Sequence, residues 1–204
     1  MISRFLPKTR TPSLVSGWVL ILIASPALAL VEPDPARFEA AIKSFEATNQ
    51  KTPAPKEATL FVGASNIRRW SSLQARFGKT KVINRGFGGS YMSDVAHFAD
   101  RIVIPCQPRQ IYVNAGGNDL HGGKTPQDVL SAFEAFVKKV RPALPKAKIS
   151  LLAIPPSPAR WSEVESVKAA NALLSEFCSK DGKIDFIDTF TLLLGDDGKP
   201  RVEC

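Results

Sequence analysis

The chain has 204 residues, a formal net charge of +8, 44% hydrophobic and 23% charged residues, a balance that excludes a disordered polar tail and fits one domain with a sizeable core. Its basic residues are scattered (Arg68, Arg69, Lys79, Lys81, Lys138, Lys139, Lys146, Lys148) and not interleaved with aromatic residues. Solvated faces account for them, and nucleic-acid binding is not expected. Cys106, Cys178 and Cys204 lack metal-ligand spacing, and an odd count allows one disulfide under oxidising conditions and leaves one thiol over.

Residues 1–29 read as an export signal. Arg4, Lys8 and Arg10 make a positive start, Leu14 to Ile23 supply an apolar stretch, and Ala27-Leu28-Ala29 is a cleavage site. The expectation is a secreted or periplasmic chain cut after Ala29, which lowers the charge to +5. The apolar run is shorter than the roughly 20 residues needed to span a bilayer, so no membrane attachment is expected after cleavage. Residues 30–57 form an N-terminal helix and linker. Asp34-Pro35 opens the helix, Phe38, Ala41, Ile42 and Phe45 recur at helical spacing, and the stretch from Lys51 to Lys56 connects.

From 58 to 204 strand and helix alternate. Strands are predicted at 58–62, 81–84, 109–114, 148–154 and 183–187, and helices at 68–77, 93–104, 126–141 and 162–178. Such alternation implies a parallel sheet covered by helices on both faces. Thr125-Pro126-Gln127-Asp128 supplies an N-cap, a first-turn proline and an acid, followed by Val129, Leu130, Phe133, Phe136, Val137 and Val140 on one stripe. Ser162 opens the next helix, with Val164, Val167, Leu174 and Phe177 behind it.

Chemistry-bearing residues stand at three strand ends, in L-F-V-G-A-S-N (60–66), N-R-G-F-G-G-S (84–90) and N-A-G-G-N-D (114–119). Ligands gather outside the carboxyl ends of open parallel sheets. Ser65 is placed where the first strand turns into a helix, either as an exposed nucleophile or as a plain N-cap. Gly86, Gly88 and Gly89 crowd the next turn, where they serve a tight turn or close ligand approach. Their spacing is neither G-x-G-x-x-G nor a P-loop, so a nucleotide-binding reading has little support. Asn118 fits an Asx turn, or an amide donor. One hydroxyl and two kinds of amide donor on adjacent strand ends are what acyl transfer demands.

These blocks resemble those of the SGNH (GDSL-type) hydrolases, over about residues 36 to 203. The first block is similar to a subgroup pattern G-x-S-x-I-R-x-W, matched by Gly63-Ala64-Ser65-Asn66-Ile67-Arg68-Arg69-Trp70. The strings N-R-G-F-G-G-S and P-S-P-A-R-W (156–161) also look like this subgroup. The resemblance implies Ser65 as nucleophile, with the amides of Ser65 and Gly89 and the side chain of Asn118 holding the oxyanion. It implies a three-layer α/β/α sandwich, an α/β fold with a five-stranded parallel sheet in flavodoxin-like order. No metal or organic cofactor is implied, and the substrate is a small-molecule or glycan ester.

Two departures stand out. Ala64 replaces the founding members' aspartate, without touching a catalytic role. The family's fourth block, D-x-x-H, should follow the fifth strand, where this chain reads F-I-D-T-F-T-L-L-L-G-D-D-G-K-P-R-V-E-C. The two histidines are elsewhere: His97, expected on a surface polar face with Asp94 and Arg101, and His121, near the proper rim. Asp188, Asp196 and Asp197 read as turn or strand-end residues, so no catalytic Asp/His pair is assigned. The expectation is a truncated or frameshifted product with its last helix missing, nearly inert, and carrying an apolar stripe on one sheet face. The competing expectation is a non-catalytic exported protein that binds a carbohydrate or acylated ligand in the same crevice.

Overall fold

A computed structural model describes Met1 and residues 33–201. The expected export signal and Cys204 lie outside the described residues. Asp34 accepts from the Ala36 amide and opens a 3-10 turn over Pro35–Phe38, which runs into α1, Glu39–Lys51. The strands are β1 (Thr59–Gly63), β2 (Val82–Gly86), β3 (Gln110–Asn114), β4 (Lys148–Leu152) and β5 (Ile184–Ile187). They form one parallel sheet in the order β2-β1-β3-β4-β5: the alternation predicted the parallel sheet, and the flavodoxin-like order is the one the resemblance implied.

Between them run α2 (Ser65–Arg69), α3 (Leu73–Arg76), α4 (Met92–Ile102), α5 (Gly117–His121), α6 (Pro126–Ala143), α7 (Val164–Ser179) and α8 (Thr189–Leu192). The predicted helix at 68–77 is in fact two. Trp70 leaves helical geometry at ψ 73°, and its indole packs on Phe61 and Phe77 at 5.6 and 6.3 Å between ring centroids. Burying that ring breaks the helix. The predicted helix at 162–178 begins as a 3-10 segment, Pro158–Glu163, before α7.

The period of two in the strands separates two cores. Leu60, Val62, Ile111, Val113, Ile149 and Leu151 cluster with the buried stripes of α4, α6 and α7 and with Ile42 of α1. On the opposite face Phe61 stacks on Tyr112 at 4.7 Å and joins Ile67, Leu73, Trp70 and Phe77 beneath α2 and α3. Beyond Tyr112 this second face turns polar. Gln110 Nε2 donates to Ser150 Oγ at 2.9 Å, and Ser150 Oγ and Lys148 Nζ each reach Asp185 Oδ2 at 3.4 Å. The expected apolar stripe is therefore reduced on this face to the half-buried pair Leu152 and Ile187, because β3 to β5 otherwise place hydrophilic side chains there. Leu192 of α8 is the large hydrophobic residue that stands most open within 33–201, at 69%.

The expected surface cluster on α4 is also different. Asp94 is buried and binds Arg37 Nη2 at 2.5 Å and the Tyr91 amide at 2.8 Å. Arg101 grips Glu39 and Glu46 of α1 at 2.7 to 2.9 Å. Asp94 thus ties the 3-10 turn Pro35–Phe38 to α4 and Arg101 ties α1 to it, while His97 stays exposed with its ring edge-on to Phe98. Cys106 and Cys178 are buried free thiols, and burial pushes the Cys178 thiol up to about 12. Within the described residues no helix is long and apolar enough to cross a membrane.

Candidate active site

Ser65 starts α2 directly after β1, at the carboxyl edge of the sheet. The turn depends on Gly63, at φ +148°, where a Cβ would stand 2.0 Å from the Asn114 carbonyl oxygen. That carbonyl accepts the Ala64 amide at 3.0 Å, so the first and third blocks are laced together just beneath the serine. Each glycine of the second block has its own reason. A Cβ at Gly86 would meet the Arg68 backbone nitrogen at 2.2 Å, and one at Gly88 would meet Arg68 Nε at 2.5 Å. Gly89 has φ +85° and open space around it. Gly86 lets helix α2 approach, Gly88 gives the guanidinium room, and Gly89 makes the turn.

Two asparagines that sequence reasoning passed over frame the same site. Asn84 Nδ2 donates to the Ile67 carbonyl at 2.7 Å, and its Oδ1 accepts the Gly86 amide at 2.8 Å. Asn114 accepts from Asn66 Nδ2 at 3.2 Å and donates to the Ala153 carbonyl at 3.3 Å. The only available signal was their place as first letters of the second and third blocks. On α7, Asn171 holds both backbone groups of Ile154, at 2.8 and 3.0 Å, and so fixes the start of the P-P-S-P-A-R-W segment.

Ser65 and Asn118 line one cavity of about 680 Å³, together with Arg69, Trp70, Arg160 and Trp161. Asn118 Nδ2 donates to the Ser90 carbonyl at 3.1 Å, and Asn118 Oδ1 accepts from Arg160 Nη1 at 3.2 Å, which also reaches the Gly117 carbonyl at 3.2 Å. A carboxamide has two N–H bonds, so one remains for a ligand oxygen. Gly89, next to Ser90, is exposed and adjoins this contact without itself lining the cavity.

Asp119 lies behind the site. It is buried, accepts the Met92 amide on both oxygens at 3.0 Å, and is pushed up to about 6 by burial against that hydrogen bond and the charge of Lys124. The motif G-G-N-D thus splits its work: Asn118 faces the cavity, and Asp119 anchors α4.

Neither histidine lines the cavity. His97 is exposed on α4, and His121 Nδ1 pairs with Glu163 Oε1 at 2.7 Å, where Glu163 belongs to the cavity wall. At the end of β5, Asp188 accepts from the Thr191 amide and hydroxyl at 3.0 and 2.6 Å, a helix-capping role. Among the described residues no three potential metal ligands lie together.

The sequence model of the GDSL-like lipase/acylhydrolase family matches residues 57–203. The chain belongs to that family. Solved structures share the fold at low identity. A Streptococcus pneumonia protein named for platelet activating factor is 20% identical, with a TM-score of 0.73 over 81% of this chain and 80% of its own. A GDSL-like lipase of Bacteroides thetaiotaomicron is 19% identical, with a TM-score of 0.66 over 79% and 90%. A Geobacillus acetyl-xylooligosaccharide esterase, solved as a mutant, is 16% identical, with a TM-score of 0.53 over 74% and 89%. No protein of curated function matches the chain in sequence. GDSL family membership makes this an ester hydrolase in lineage, built on an α/β sheet whose carboxyl edge carries the cavity.

Proposed function

We propose that the cavity binds a small-molecule or glycan ester and cleaves it slowly through an acyl-serine. Ser65 Oγ attacks the ester carbonyl carbon, the Gly89 amide and the free Asn118 N–H hold the oxyanion, and the alcohol departs with a proton. Water then attacks the acyl-serine, releasing the acid and restoring Ser65. The observation that supports this most is that the serine and a half-satisfied carboxamide share one cavity, beside the Gly89 turn.

With no histidine in the cavity wall, the proton of Ser65 leaves to solvent. Loss of a serine hydrolase's base costs on the order of a millionfold, about 8 kcal/mol of barrier, while donors and binding leave roughly 10³ to 10⁴ over water. Hydrolysis of p-nitrophenyl acetate by purified protein is therefore expected to be weak, to vanish in Ser65→Ala and to fall about a hundredfold in Asn118→Ala. Equal background in all three proteins overturns the enzyme reading. It favours instead a non-catalytic protein that holds an acylated or carbohydrate ligand, a reading to which the placement of both histidines lends weight.

Export through residues 1–29 belongs to the same proposal. Mass spectrometry of the protein from a periplasmic or culture fraction should find its first residue at Leu30, and an intact N-terminus there would reject cleavage.

A further inference from the structure

We propose that the cavity at Ser65 selects esters that also carry a carboxylate, and that Arg69 is the residue that reads it. The inference rests on the ester-site reading above and adds the class of substrate. Arg69 lines the cavity, and its side chain forms no hydrogen bond or ion pair with any described residue. Exposed lysines elsewhere on the molecule are matched differently: Lys43 with Glu39, Lys168 with Glu165 and Lys180 with Glu176. Arg68, Arg76 and Arg109 also carry side chains without a partner among the described residues, and what distinguishes Arg69 from them is its place in the wall of the cavity.

The rest of the wall does not cancel its charge. Arg160 also lines the cavity and directs Nη1 to two neutral acceptors, the Gly117 carbonyl and Asn118 Oδ1. Glu163 is the acidic residue of the wall, and its Oε1 is held by His121 Nδ1 at 2.7 Å. Asp188, beside the lining residue Thr189, turns its carboxylate onto Thr191. The cavity wall therefore carries two guanidinium groups against one carboxylate, and Trp70 and Trp161 line the same cavity. Low-dielectric walls focus such a field into the opening. A guanidinium fork matches a carboxylate with two parallel hydrogen bonds, so the anion is bound while the ester group lies toward Ser65 and Asn118.

The test compares monoethyl succinate with ethyl levulinate, an ester of equal length in which a methyl ketone replaces the carboxylate. Binding is followed by NMR on the indole N–H signals of Trp70 and Trp161, at pH 7 and low ionic strength. Monoethyl succinate should bind about tenfold more tightly, with the advantage shrinking as salt is added. Arg69→Gln should abolish the advantage and leave the levulinate affinity unchanged. Arg68→Gln, which removes the same charge from outside this cavity, should keep it. Equal affinity for the two probes overturns the selectivity alone. Loss of the advantage in both variants also overturns it, by assigning the effect to overall charge. If neither probe moves either indole, the ester-site reading fails as well.

Discussion

Asp119 shows how a single buried carboxylate couples stability to pH. Its native value near 6 lies above the ordinary 3.8, so the folded state holds the proton more firmly than the unfolded state. Stability from this group is full below pH 3.8 and is lost as pH rises through 6, by roughly 3 kcal/mol in total. Asp119→Asn keeps an oxygen for the Met92 amide and removes the titration. Urea melts at pH 4 and pH 7 should show the variant gaining on the parent protein at the higher pH; a constant difference between them would refute the assignment. The histidines give a second test at this scale. If the Ser65 proton leaves to solvent, His97→Gln and His121→Gln each leave p-nitrophenyl acetate turnover within about twofold of the parent. A hundredfold fall in either variant would identify a working base.

Among the elements, α1 is the one held by charge as much as by packing. Arg101 bonds Glu39 and Glu46, which lowers both carboxyl groups below 4.5 and raises the guanidinium. A carboxyl lowered in the folded state contributes stability above its unfolded value and loses it as pH falls through the folded one. Below about pH 4.5, α1 should therefore loosen before the sheet does, and Arg101→Met should loosen it already at pH 7. Hydrogen exchange across 39–51 measures both, and equal protection in parent and variant would show that Ile42 and Phe45 suffice.

The same scale shows what the sequence disclosed. All five strands and the long helices were legible because burial on one side imposes a period that adjacent residues carry by themselves. Asn84 and Asn114 were not, since their partners come from other strand ends: Asn66 and Asn114 are 48 positions apart and meet only because β3 lies beside β1. Trp70 was misread for a related reason. Its helix-compatible neighbours say nothing of Phe61 and Phe77 waiting beneath it. At the site, the motif letters located Ser65, Gly89 and Asn118 along the chain, but only tertiary placement put Arg160 on the Asn118 carboxamide and His121 on Glu163.

For the whole molecule, the two unlike faces of the sheet matter most. One face is sealed by α4, α6 and α7; the other is sealed under Trp70 and Phe77 and then passes into the Gln110, Ser150, Lys148 and Asp185 row. Strand β5 forms the margin of the sheet, and margins invite a second chain to add its own strand. The Lys148 ammonium and Asp185 carboxylate stand on the face beside that edge, and a second chain that covered this face would have to dehydrate both. Converting Lys148 and Asp185 together to valine should raise self-association above that of the parent protein, visible in light scattering as a mass that grows more steeply with concentration. A double variant whose mass matched the parent's at every concentration would show that colloidal behaviour is governed elsewhere on the surface.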